Sequence, residues 1–464
     1  MQSHILVPIF VVAFLAVFTA ASGIEKRSFT VHRVGNPNFS GHNGPRSLAK
    51  SYRKFGAPLP KGLAGALAAQ NTRKRTLDTA PLVERRGFEY RWSGQRSRRA
   101  FSGASNNCPQ GSVAGKKCWA GTAQSSMARQ QANKTRQVGS VEAVPEQNDI
   151  EFLSPISIGG QAVNLAFDTG SSDLWVFSKQ LNPAATTGHR VYDPAKSPSF
   201  SMIQGQNFSI RYGDGSAATG VVGTDVVNVG GAEFQAQPIE LATAVTRTFV
   251  EDQNNDGLMG LAFSNLNTVK PQRQKTFFEN VRATLSEPLF TADLRNNSTG
   301  AYTFGVIDAS KFNGSLTWIP VNTTRGFWQF SSERFAVGGE PSQNASSGGQ
   351  AIADTGTTLI LADPNIVQGY YSRVPGARNS DKAGGVTVPC NAKLPDLDLD
   401  IGGLYMARVS GANINFAPVG NGSCFGGLQA SPLGTMGIYG DIFFKSQFVV
   451  FNGGNNTLGM APHA

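Results

Sequence analysis

An acid set between hydrophobic runs constrains this chain more than any other feature, because it occurs twice. Residues 165–177 read LAFDTGSSDLWVF and residues 351–361 read AIADTGTTLIL. Asp168 and Asp354 lie 186 positions apart, each followed by Thr-Gly, hydroxyl side chains and a second apolar run. Burying an unpaired carboxylate is costly, so a carboxylate in this frame is expected to be paired, hydrogen-bonded or functional. One copy alone is ordinary Asp-x-Gly turn chemistry. Two similarly framed copies point to a duplicated unit, and so to two lobes that bring the aspartates face to face.

The chain has 464 residues, enough for two or three domain-sized units. Gly is abundant (53) and charge sparse (16%). Stretches such as NFSIRYGDGSAATGVVGTDVVNVGG (207–231) alternate and are broken by turn residues, the texture of an all-β protein. No long stretch keeps a clear 3.6-residue apolar period; 270–286 and 363–374 are candidate short helices.

The N-terminal run ILVPIFVVAFLAVF (5–18), followed by TAASG (19–23), reads as a signal peptide over 1–22. It is short for a membrane anchor and is interrupted by Pro8, although it lacks the usual leading Lys or Arg. No other stretch is suited to span a membrane, and the C-terminal GMAPHA has no lipid-anchor tail. The expected location is extracellular rather than vacuolar, with no membrane anchor.

Charge is spread very unevenly along the chain. Residues 1–136 carry 22 Lys and Arg against 4 Asp and Glu, a balance of +18, whereas 137–464 carry 19 against 27, a balance of −8. After a signal peptide a nucleic-acid partner is not expected. A basic pro-segment over 23–136, held to an acidic body, is the better reading. Lys26-Arg27, Lys74-Arg75, Arg85-Arg86 and Arg98-Arg99 are candidate processing sites.

An even number of cysteines after a signal peptide reads as disulfides. Cys390 and Cys424, 34 residues apart, are expected to pair, which stabilises by about 3–4 kcal/mol on a chain-entropy model. Cys108 and Cys118 lie in the basic leader. After residue 136 the only histidines are His189, read as an exposed loop residue, and the penultimate His463. A Ser–His–Asp or Cys–His site is therefore disfavoured, and without HExxH or CxxC no zinc chemistry is expected. Two facing carboxyls that share a proton suffice: one acts as base on a water, the other donates to a carbonyl oxygen. Gly170 and Gly356 allow tight turns and close approach to the carboxyls, and Ser171 and Thr357 are placed to donate to their outer oxygens.

The chain resembles the pepsin-like aspartic proteases, most closely the secreted fungal group of aspergillopepsin, penicillopepsin and endothiapepsin. The resemblance covers roughly 137–464 and rests on FDTGSSDLWVFS (167–178), YGDGS (212–216), DGLMGLAFSNLNTV (256–269), IADTGTTLIL (352–361) and IYGDIFFKSQFVVFN (438–452). It implies an all-β, bilobal pepsin-like fold. An N-terminal lobe (137–320) with the first D-T-G and a flap would face a C-terminal lobe (321–464) across a cleft, about a pseudo-twofold axis. Asp168 and Asp354 would be catalytic. Thr169 and Thr355 match the threonines that bond across to the opposite loop. Leu258-Met259-Gly260 and Ile438-Tyr439-Gly440 match the segments that cross each D-T-G loop. The implied protein is a monomeric acid endopeptidase acting on polypeptides, with no cofactor or metal and with a preference for hydrophobic residues around the scissile bond. It would be made as a zymogen whose own pro-segment sets a lysine against the two aspartates. Lys50, Lys54 and Lys61 are the candidates.

A hairpin over 208–219, turning at Gly213-Asp214-Gly215, reads as the flap. Tyr212, Gly213, Asp214 and Ser216 are its candidate substrate-binding residues. Tyr212 matches the family's flap tyrosine and Trp175 the tryptophan that bonds it. Asp214 either serves the turn or favours Lys before the scissile bond. The leader departs from the family over 88–136, so the mature N-terminus is placed only within about 130–150. Asn207, Asn296, Asn297, Asn313, Asn322, Asn344, Asn421 and Asn455 stand in glycosylation sequons; Asn344 is the best candidate, and Asn207, beside the flap strand, is expected to be poorly accessible. The alternative function is a non-catalytic binding protein on the same fold, and such relatives usually damage a D-T-G motif, the flap tyrosine or the loop hydroxyls. A glycosidase using the same carboxyls is the other rival, and the turn-framed dyad and flap argue against it.

Overall fold

A computed structural model describes residues 43–77, 137–145, 152–211, 216–296 and 298–464. The expected signal peptide, Cys108, Cys118, residues 212–215 at the expected flap tip, Asn297 and all of the leader's extension over 88–136 lie outside the described residues.

Alternating and doubly apolar segments become strands, as their patterns require. Gln161–Asp168 buries its last four residues, and all four residues of Leu174–Phe177 are buried, as a strand covered on both faces must be. In the first half Gln161–Asp168 runs parallel to Gly257–Gly260, with Asp168 opposite Gly260. Gly257–Gly260 is antiparallel to Leu174–Phe177, which runs parallel to Ala232–Val245. The second half repeats this connectivity. Gln350–Ala353 is parallel to Met436–Tyr439, which is antiparallel to Ile360–Ala362, which is parallel to Leu428–Ala430. The duplication inferred from two short motifs is thus a duplication of strand order, and the fold is all-β and bilobal.

A common sheet joins the halves. Thr317–Pro320, Thr457–Pro462, Gln447–Asn452, Leu289–Arg295, Ser298–Phe304 and Gly139–Pro145 are hydrogen-bonded in that order, so the last strands of the chain pair with strands of its first half. From there the sheet continues through Phe152–Ile158 into the strands that carry Asp168.

Both candidate helices form. Phe277–Val281 lies within 270–286 and starts in a capping box between Thr276 and Glu279. Pro364–Tyr371 lies within 363–374, with the Asp363 side chain accepting from the Asn365 amide. The leader adds Gly44–Lys54 and Lys61–Leu77, which the hydrophobic pattern did not announce. Their buried faces explain why. The first buries Ser47 and Ser51 beside Leu48 and Ala49, with Gly44 against Phe425; the second sets Leu63 and Ala66 against Gly384. Such faces are too small and too polar to produce a clear apolar stripe. Among the described residues no helix is long and apolar enough to cross a membrane.

Candidate active site

Each aspartate sits where a buried strand breaks into its D-T-G turn. Asp168 and Asp354 are 1% and 0% exposed. The turn solvates its own carboxyl. Gly170 N donates to Asp168 Oδ1 at 2.8 Å and Ser171 Oγ to Oδ2 at 2.6 Å. Gly356 N donates to Asp354 Oδ1 at 3.0 Å and Thr357 Oγ1 to Oδ2 at 2.6 Å. Two unrelated turns would not repeat the same donors on the same oxygens.

The glycines do more than turn. A Cβ on Gly170 would stand 2.4 Å from Asp354 Oδ1, and one on Gly356 2.3 Å from Asp168 Oδ1. Each loop's backbone is therefore pressed against the carboxyl of the other half. The threonines lock this arrangement. Thr169 Oγ1 donates to Ala353 O at 2.8 Å and accepts from Thr355 N at 3.0 Å. Thr355 Oγ1 donates to Phe167 O at 2.7 Å and accepts from Thr169 N at 3.1 Å. The crossing segments complete each loop: Leu261 N donates to Asp168 O, and Asp354 N donates to Tyr439 O.

A lysine from the leader enters this centre. Lys54 Nζ donates to Asp168 Oδ1 at 2.8 Å and to Asp354 Oδ1 and Oδ2 at 2.8 and 2.9 Å. Of the three candidate lysines it is Lys54, the last residue of helix Gly44–Lys54, that reaches the carboxyls. Tyr52 and Phe55 flank it. The Tyr52 hydroxyl reaches Ala430 O at 3.4 Å, and the Phe55 ring lies 6.0 Å from that of Phe327.

Burial raises the Asp168 carboxyl, but the Lys54 ammonium and hydrogen bonds from Asp354, Lys54 and Ser171 together outweigh it; the net position is about 2. Burial and the neighbouring Asp168 charge raise Asp354 in spite of the ammonium. Burial disfavours the Lys54 ammonium, yet the two carboxylates more than offset it and hold Lys54 above its ordinary value. A nearly symmetric pair is thus split into one carboxylate and one group inclined to hold a proton, as proton exchange between them requires.

Other expected residues fall at different distances from this centre. Trp175 is 1% exposed, with the Phe249 ring edge-on at 4.8 Å, and Ser216 is buried at the base of the hairpin. Tyr212, Gly213 and Asp214 lie outside the described residues. Cys390 and Cys424 form a disulfide in the second half.

Two expectations are corrected. His189 lies in a loop, as expected, but is not exposed: its side chain is buried and stacked on Phe177 at 3.8 Å. Its ring nitrogens face Asn255 O at 3.0 Å and Val250 O at 3.4 Å, so it ties its loop to the segment 250–255. The loop was legible from Gly188-His189, but the burial was not, because the ring's stacking partner Phe177 comes from the separate strand Leu174–Phe177. Asn207 is exposed rather than occluded, because its strand pairs through the backbone and turns this side chain outward. Asn344 is also exposed.

Sequence reasoning missed Asp173, Glu240 and Asn267, a buried polar group directly behind the first D-T-G loop. Asp173 stood in plain view beside the motif. Its partners lie far along the chain, and no local signal connects them.

The same family emerges from comparison with known proteins. The model of the eukaryotic aspartyl protease family matches residues 151–463. Penicillopepsin-2 of Penicillium janthinellum is 47% identical over 330 residues, 70% of this chain and 82% of that protein. Aspergillopepsin-1 of Aspergillus fumigatus is 48% identical over 329 residues, with the same coverage of 70% and 82%. The bilobal fold and the match over most of the chain define an aspartic endopeptidase. This chain belongs to the eukaryotic aspartyl protease family. Aspartic protease PEP3 of Coccidioides posadasii is 40% identical over 469 residues, 99% of this chain and 95% of that one, so the similarity extends into the basic leader.

Proposed function

We propose that this chain is a secreted acid endopeptidase made as a zymogen, with Asp168 and Asp354 as its catalytic dyad and residues 23–136 as its inhibiting leader. The observation that carries the proposal is the single ammonium of Lys54 shared by both carboxyls. The ammonium stands in for the attacking water of the leader-free enzyme, which meets the same inner oxygens. In that enzyme the ionised carboxyl takes a proton from the water as its oxygen bonds to the peptide carbon. The protonated carboxyl donates to the carbonyl oxygen. Collapse of the tetrahedral intermediate breaks the C–N bond, and the amine leaves with the proton held by the dyad. No covalent enzyme intermediate and no metal is needed. Burial in a water-poor cleft strengthens each of these electrostatic contacts.

The flap residues Tyr212, Gly213, Asp214 and Ser216 are proposed to close over the substrate with Trp175 behind them, and Asp214 to accept Lys before the scissile bond. Thr169, Gly170, Ser171, Thr355, Gly356 and Thr357 position the dyad. The enzyme is proposed to act as an extracellular monomer on polypeptides with hydrophobic residues around the cut. The exposed Asn207 and Asn344 support a glycosylated product.

The test is hydrolysis of a denatured protein at about pH 3.5 and its block by a statine-type transition-state mimic. Hydrolysis by wild type, falling by roughly a thousandfold or more in Asp168→Asn and Asp354→Asn, is the expected outcome. Comparable activity in either variant would remove the dyad from the mechanism.

A further inference from the structure

Behind the first D-T-G loop lies a second pair of carboxyls that the proposed reaction does not use. Asp173 closes that loop. Glu240 lies on strand Ala232–Val245, paired with Trp175 on one side and Val222 on the other. The two are 1% and 2% exposed. One oxygen of each is satisfied. Asp173 Oδ1 accepts from Thr268 N at 2.9 Å, from Thr268 Oγ1 at 2.7 Å and from Asn267 Nδ2 at 3.3 Å. Glu240 Oε1 accepts from Asn267 Nδ2 at 3.0 Å. The other two oxygens, Asp173 Oδ2 and Glu240 Oε2, are buried and meet no donor among the described residues. Each acid acts on the other as a hydrogen-bonding neighbour. A proton between the two orphan oxygens satisfies both; without it, two like charges are buried together on strands whose residues opposite Glu240, Trp175 and Val222, are apolar.

We propose that Asp173 and Glu240 share one proton, and that this proton latches the first D-T-G loop and confines the folded lobe to acidic surroundings. The latch is bolted to the loop. Asp173 O accepts from Gly260 N at 2.8 Å, and Asn267 Nδ2 also donates to Ser172 O at 3.1 Å. Losing the proton therefore pushes on the backbone on either side of Ser172, next to the hydroxyl that supports Asp168. Besides the pair itself, Asp168 is the charged group acting on Asp173, and its charge works in the same direction. Trp175 and Val222, the strand partners of Glu240, and Leu258, the next partner of Trp175, are apolar and supply no counter-charge.

Burial raises both acids. Glu240, raised further by the Asp173 charge and hydrogen bond, stands well above its ordinary value. Asp173 stays raised by burial although its hydrogen bond with Glu240 works the other way, so the proton rests on Glu240. A carboxyl raised by folding contributes stability that is fully present below the unfolded carboxylate range. That contribution is lost as pH rises through the folded value. The pair thus favours the fold in acid and weakens it toward neutrality, independently of whether the dyad turns over.

The experiment follows thermal unfolding of the full-length protein from about pH 5 to about pH 9, with a statine-type inhibitor present to prevent self-cleavage. Wild type is compared with Glu240→Gln, whose amide donates permanently to Asp173 Oδ2, and with Asp173→Asn, whose amide faces Glu240 Oε2. In both variants the loss of stability should begin at a higher pH. At the upper end the half-life of the fold should lengthen on the order of tenfold. A wild-type-minus-Glu240→Gln infrared spectrum near neutrality should show a protonated-carboxyl band. An unchanged alkaline limb in both variants, or no such band, overturns the proposal. So does failure of both variants to fold in acid, because amides that fit a shared proton must be accommodated there.

Discussion

At the scale of single residues, the centre is defined by how little room it leaves. Ser171 and Thr357 hold the outer oxygens, glycine amides hold the inner ones, and each glycine faces the opposite carboxyl. A methyl group at Gly356 would meet Asp168 Oδ1 at 2.3 Å, and the loops are locked by the threonines, so neither side can yield cheaply. Gly356→Ala is therefore expected to destabilise by about 1–3 kcal/mol and to lose most of its activity. Denaturant unfolding and kcat/KM at acid pH check this. A variant with wild-type stability and rate would mean that the carboxyls sit farther from the loops.

At the scale of elements, the decisive feature is a helix that ends in the active site. Gly44–Lys54 contributes a small buried face and delivers one cation, whose removal leaves two buried carboxyls without their counter-charge. Breaking a buried ion pair from one side typically costs about 3–5 kcal/mol. Lys54→Met should accordingly loosen the leader and speed acid conversion of the full-length chain at least about tenfold. Lys61→Met, on the following helix and away from the carboxyls, should not. The appearance of a shortened chain on a gel, followed over time, separates them. Equal rates for wild type and Lys54→Met would show that the leader is held elsewhere.

At the scale of the whole molecule, the leader and body carry opposite charge, +18 over 1–136 and −8 over 137–464. Lys54 pulls both dyad carboxyls toward their ionised forms. Seating the leader therefore releases protons. It is favoured above the ordinary carboxylate range and lost as pH falls toward about 2, where Asp168 itself takes up a proton. Because the Lys54 contact is buried, salt screens it little, whereas the long-range attraction is screened within about 10 Å at 0.1 M. High salt at about pH 7 should loosen the leader only partly, and acid at about pH 3.5 should convert the chain to a fragment starting within about 130–150. An Asp168→Asn chain should not convert unaided. If it matures at the wild-type rate when purified alone, self-processing is wrong.

The amino-acid sequence by itself determined the chemistry and the class of fold. Two framed D-T-G motifs, the scarcity of histidine and the alternating strands leave a carboxyl dyad on a duplicated β architecture, because residue type and local period carry that information. Both D-T-G loops and the Cys390–Cys424 pair were legible in the residues themselves, and the crossing segments through the family resemblance. Only the tertiary structure decided between Lys50, Lys54 and Lys61, since which lysine reaches the dyad depends on where a helix with a small, partly polar buried face docks. It also buried the loop residue His189 against Phe177, and brought Glu240 to Asp173 across 67 residues of chain. Contacts of that kind arise from sheet order and burial, and a buried polar partner leaves no periodic trace in the sequence that could announce it.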